Sequence, residues 1–177
     1  DQQNQRPIIL KYYQRHDAVD IQDKIQRGVM LHAQLRSDYI IPMIDFGVHG
    51  QYQGVWCVLS REEAPNLTRF VKSRGGLDSQ TTCELLINLC DALESLHVEG
   101  KVHGNLKPSN VFVKSRSSQS YQTLVSDILG AGLCGVHKHP SGRVTYNDPS
   151  FFTYEQASGK EINPQTDIAG LGLLAYF

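Results

Sequence analysis

Three stretches of this chain hold side chains whose types and spacing suit chemistry. The first is His103-Gly104-Asn105-Leu106-Lys107-Pro108-Ser109-Asn110, followed by the apolar run Val111-Phe112-Val113. The second is Ser126-Asp127-Ile128-Leu129-Gly130, and the third is Ile8-Ile9-Leu10-Lys11-Tyr12-Tyr13, an apolar stretch with one lysine inside it. Between the first two lie a polar, Ser-rich segment over residues 115–122 and then Leu124-Val125, which read as strand, surface turn and strand. That layout places Asn110 and Asp127 at the two ends of one small hairpin and brings an amide to a carboxylate. Asn105 accepts a hydrogen bond through its carbonyl but takes no proton at physiological pH. Lys11, taken alone, is an ordinary strand lysine pointing to solvent.

The elements that must position these residues are legible. Asp78 or Ser79 caps the start of a helix and Gly100 follows its end. Between them Cys83, Leu86, Leu89, Cys90, Leu93 and Leu96 recur at three- and four-residue steps, which predicts one buried stripe. This helix ends three residues before His103. A second helix is predicted over residues 19–35 from Ile21, Ile25, Val29, Leu31 and Leu35. Residues 40–48 and 55–60 read as strands around a turn at 49–54, and residues 66–73 as a short helix stopped by Gly75-Gly76.

In this order the motifs resemble those of protein kinases. His103 to Asn110 is similar to the catalytic loop HRDLKPEN, and Asp127-Ile128-Leu129-Gly130 to the metal-binding DFG loop. Lys11 resembles the lysine of VAIK, and Leu35-Arg36-Ser37-Asp38-Tyr39-Ile40-Ile41 resembles LxHPNIV. Phe151-Phe152-Thr153-Tyr154-Glu155-Gln156 is similar to YMAPEQ, with Tyr154 in place of proline. Thr166-Asp167-Ile168-Ala169-Gly170-Leu171-Gly172-Leu173-Leu174 resembles SDIYSLGVLL, whose aspartate ties down the backbone of the catalytic loop.

The resemblance implies an α+β, two-lobed fold. Residues 1–62 would form part of an N-lobe, an antiparallel sheet plus one helix, and residues 63–177 part of a mainly helical C-lobe. The chain reads as an interior piece truncated at both ends, without the glycine-rich loop and the last helices. The resemblance also implies ATP and magnesium as cofactors. Lys11 would serve the phosphates, Asn110 and Asp127 the metal, and the backbone near Leu59 an adenine; Lys107 would stand in the catalytic loop.

Three departures cut against phosphoryl transfer. Asn105 stands where the family has its catalytic aspartate. Gly104 replaces the arginine that grips a phosphorylated activation segment, so Ser141, Thr145 or Tyr146 would lack that partner. Gly28 occupies the position of the helix glutamate that pairs with the lysine. In the metal loop, either Leu129 replaces the motif glycine or one residue is inserted and Gly130 serves. These features predict a pseudokinase that acts as a nucleotide-binding or protein-interaction module; a weakly active serine/threonine kinase and a structural domain with an empty cleft are the alternatives.

The rest of the composition is permissive. With 40% hydrophobic and 20% charged residues and a net charge of −1, the chain shows no basic field for nucleic acid. No apolar run is long enough to span a membrane. Cys57, Cys83, Cys90 and Cys134 form no framework and read as buried thiols of a reducing, cytoplasmic setting. The Cys134-Gly135-Val136-His137-Lys138-His139 run lacks a second ligand pair and reads as a loop rather than a zinc site.

Overall fold

The computed structural model describes residues 7–13, 19–50, 54–61, 63–117, 120–128, 137–138, 144–145 and 149–177. Glu62, Leu129, Gly130, Cys134, His139, Ser141 and Tyr146 lie outside the described residues.

Strands β1 (Ile8–Tyr13), β2 (Met43–Val48) and β3 (Val55–Ser60) form an antiparallel sheet in the order β1-β3-β2, and helix α1 (Val19–Gln34) covers one face. Period-two alternation decides which residues turn inward. Val55 and Cys57 are buried against Ile25 and Val29 of α1, while Leu10 and Ile44 on the opposite face remain largely exposed. Leu59, on the covered face as well, packs with Ile41 and Leu124.

The remaining elements build a larger, mainly helical core. Helix α2 (Leu67–Arg74) is capped by Asn66, whose Oδ1 accepts from Arg69 N at 3.0 Å, and stops at Gly75 with φ +69°. Helix α3 (Ser79–His97) starts at Asp78, which accepts from Thr81 N at 2.8 Å. After a 3₁₀ turn (Pro108–Asn110) come the paired strands β4 (Val111–Ser115) and β5 (Tyr121–Val125). A two-residue ladder joins β6 (His137–Lys138) to β7 (Val144–Thr145). A second 3₁₀ turn (Pro149–Phe151), the single-turn helix α4 (Tyr154–Ala157) and helix α5 (Pro164–Tyr176) complete the order. Leu85, Leu89, Leu93 and Leu96 of α3 pack with Val111 and Val125 of the hairpin, Leu106 of the loop and Leu174 of α5.

One expectation is corrected. The buried face of α3 runs through Thr81, Leu85, Leu89, Ala92, Leu93 and Leu96, whereas Cys83 and Cys90 are exposed. The apolar stripe is rotated because Leu85 and Ala92 take the inward positions, so two of the three described thiols are not core residues. Helix α5 buries one face. Thr166, Asp167, Gly170 and Leu174 face inward along one stripe, and Ile168 on the other side is exposed.

Candidate active site

The loop after α3 is held in place from two directions. Asp167, in the first turn of α5, is almost fully buried. Its Oδ2 accepts from His103 N at 2.8 Å and from His97 Nε2 at 2.9 Å, and its Oδ1 accepts from Gly104 N at 2.8 Å. Asn163 caps the same turn together with Thr166, and Pro164 opens it, so the carboxylate sits at a helix start that favours negative charge. From the other side, Gln156 Nε2 donates to Gly104 O at 2.9 Å. Gly104 has φ +65°, a left-handed conformation that suits glycine and would strain the arginine its relatives are expected to carry there.

Within the loop the backbone folds onto His103, which is fully buried. Asn105 N donates to His103 Nδ1 at 3.1 Å, so the neutral ring carries its proton on Nε2. The 3₁₀ turn is closed by Asn110 N to Lys107 O at 2.9 Å, and Asn110 Nδ2 donates to Asn105 O at 2.9 Å. Lys107 is half-buried at the entrance to this turn.

The hairpin brings the metal-type residues together as the spacing predicts. Val111 pairs with Val125, and Ser126 N donates to Asn110 O at 2.9 Å, so Asn110 and Asp127 emerge side by side. Asp127 is the one non-glycine residue with positive φ (+62°) among the described residues, a strained state that clusters at functional sites. Its carboxylate pairs with the Lys11 ammonium, and Asn105 Nδ2 reaches its carbonyl at 3.4 Å. Lys11, Asn105, Asn110 and Asp127 therefore meet in one place. Among the described residues no cluster of three or more Asp, Glu, His or Cys forms.

Leu59 is placed differently from a hinge residue. Its backbone lies inside the sheet, opposite Ile9 on one side and Met43 on the other, and its side chain is buried. The chain leaves the sheet only at Arg61.

Gly28 is buried on α1 and brings no carboxylate to Lys11. Sequence reasoning missed what surrounds this gap. One turn on, buried His32 donates Nε2–H to Ile41 O at 2.8 Å. A histidine four residues after Gly28 on the inner helix face was the available signal. Burial holds the His32 imidazole below the ordinary histidine value, against the pull of the Ile41 carbonyl and of Asp127. Burial also keeps His103 low, although Asp167 and Asp127 pull the other way. The Tyr13 hydroxyl and the Cys57 thiol are both pushed up, chiefly by burial, so Cys57 is not an activated thiol.

These two histidines set a pH dependence. Because their folded values lie below about 6.5, the unfolded chain binds protons that the native state refuses as pH falls through that value. Native stability is therefore full above pH 7 and declines below about 6.5, until the folded histidines themselves take up protons. The urea midpoint is expected to drop between pH 7.5 and 5.5, with a shallower slope in His32→Gln; a midpoint independent of pH in this window would contradict it.

The comparisons with known proteins agree with this geometry. Residues 1–177 match the protein kinase domain family. The serine/threonine-protein kinase PkaA of Streptomyces coelicolor is 27% identical over 154 residues, which is 85% of this chain and 27% of that protein. The serine/threonine-protein kinase pkn2 of Myxococcus xanthus is 24% identical over 176 residues, 97% of this chain and 21% of that one. The crystal structure of the Mycobacterium tuberculosis PknI kinase domain superposes with a TM-score of 0.71 at 19% identity, over 95% of this chain and 61% of the other. The chain thus spans about a quarter of these curated relatives and less than two thirds of that solved domain. This chain belongs to the protein kinase family, with an α+β fold that covers part of the kinase domain.

Proposed function

We propose that this domain is a pseudokinase, which holds a nucleotide and works through protein contacts rather than by phosphoryl transfer. Asn105 carries the reading. It occupies the position of the catalytic base, it cannot accept a proton, and its amide is turned toward the Asp127 carbonyl. General-base assistance is worth about 10²–10⁴-fold, and Gly28 and Gly104 remove two further contributions.

Lys11, Asn110 and Asp127 still fit ATP with magnesium. Lys11 would meet the phosphates, Asn110 and Asp127 would hold the metal, and the bound metal would neutralise phosphate charge. By the family resemblance, Asn105 and Lys107 would face an approaching substrate hydroxyl. The free thiols Cys57, Cys83 and Cys90 accord with a cytoplasmic setting, and no helix among the described residues is long and apolar enough to cross a membrane.

Melting the purified protein with ATP and magnesium tests nucleotide binding. Ligand at 100 times its dissociation constant should stabilise by about 2.7 kcal/mol. Labelled-phosphate transfer should not exceed that of Asp127→Ala; transfer that this substitution abolishes would sink the pseudokinase reading. One observation favours a second reading, the structural domain with an empty cleft: Lys11 and Asp127 already neutralise each other. Absence of any ATP-dependent shift would select it.

A further inference from the structure

On the far side of the sheet–helix connection lies an open groove of about 690 Å³, away from Lys11 and Asp127. Its walls come from the residue that leads into β1, the link between β3 and α2, the end of α2, and the β4–β5 hairpin. Its lining joins the buried, apolar Phe70 and Val113 and the exposed Pro65 to the cations Arg61, Arg74 and Lys114. At one end it runs on past Arg69, which shares Pro7, Arg61, Glu63 and Pro65 as neighbours. The described lining thus holds four cations, Arg61, Arg69, Arg74 and Lys114, against one anion, Glu63.

Three of these cations, Arg61, Arg69 and Arg74, stand outside every ion pair among the described residues, which are Lys11–Asp127, Arg27–Asp23, His97–Asp167 and Lys101–Glu99. Arg74 is pre-oriented as well. Its guanidinium lies 4.6 Å from the Phe70 ring centroid and 5.0 Å from that of Tyr121, and Nη2 donates to the Tyr121 hydroxyl at 2.6 Å. A guanidinium fixed in this way loses little side-chain entropy on meeting a carboxylate.

We infer that this groove binds an acidic, extended peptide segment of a partner protein. The cations are strung along the groove, Arg69 at one end, Arg61 between, and Arg74 with Lys114 at the other. A row of separate cations, rather than one cluster, suits successive carboxylates better than a single compact anion, and the apolar Phe70 and Val113 accept the side chains between them. The connection between β3 and α2 forms one wall, so an occupant would touch both the sheet and the helical part. The inference supplies a partner class for the interaction-module reading, yet the groove can be tested apart from the cleft.

The test uses a fluorescein-labelled octaglutamate peptide and the purified protein at low ionic strength, read by anisotropy. Saturable binding is expected, weakened at least tenfold in Arg61→Glu/Arg69→Glu and unchanged in Arg27→Glu, which reverses an exposed charge elsewhere. Unchanged melting temperatures would verify that the variants fold. Four results would each overturn the inference: no saturable binding, no loss in the double variant, an equal loss in Arg27→Glu, or equal binding of octalysine. Displacement by inorganic phosphate at peptide-like concentrations would make it a compact-anion site instead. An ATP melt on the same double variant reads the cleft separately, so failure of nucleotide binding leaves the peptide result standing.

Discussion

Asp167→Ala is expected to destabilise the domain by about 3–5 kcal/mol. The carboxylate is the acceptor for two buried backbone donors, His103 N and Gly104 N, and for His97 Nε2. Alanine leaves these two buried N–H groups without their acceptor. A buried donor without a partner costs about 1–3 kcal/mol, and hydrogen bonds to a charged acceptor are worth more than neutral ones. Asn is a poor substitute. The two backbone donors meet different oxygens of the carboxylate, and the NH₂ that replaces one oxygen would face a donor. Against a typical domain stability of about 5–15 kcal/mol, a loss of this size moves the urea midpoint visibly. A change below about 1 kcal/mol would mean that the loop does not depend on α5.

Asn105→Asp is expected to raise labelled-phosphate transfer by about 10²-fold over the parent chain, at the lower end of what a general base supplies. The estimate is at the low end for two physical reasons. The new carboxylate loses the amide donor that reaches the Asp127 carbonyl at 3.4 Å. It also gains a carboxylate neighbour in Asp127, with which it would compete for the Lys11 ammonium. Gly28 still offers no partner to that lysine, so a double substitution with Gly28→Glu should add to the gain. This expectation rests on the proposed nucleotide binding. No gain in a variant that still shows an ATP-dependent melt would locate the defect elsewhere than the missing base.

The family was legible because its motifs are local. His103 to Asn110, Asp127 and the Thr166–Asp167 pair each need only a few adjacent side chains, and their order along the chain made coincidence improbable. Elements with strong punctuation were equally readable. Asp78 and Asn66 cap their helices, and Gly75 stops α2 in the left-handed conformation only glycine adopts freely. Burial was harder. Cys83 and Cys90 fit the apolar period of α3 as well as Leu85 and Ala92 do, and periodicity alone does not say which of two overlapping stripes meets the hairpin.

By itself the sequence determined what is missing: a proton acceptor at Asn105, a guanidinium at Gly104 and a carboxylate at Gly28. Those are statements of residue type, and no arrangement in space can restore an absent functional group. Only the tertiary structure decided how the remaining groups are spent. Lys11 meets Asp127, and Asp167 collects three donors from segments 63–70 residues away. His32 turns inward onto Ile41, and Arg74 comes to rest against two rings from different elements. Each of these pairings depends on register and helix rotation, which are set by packing summed over the whole core rather than by any local pattern.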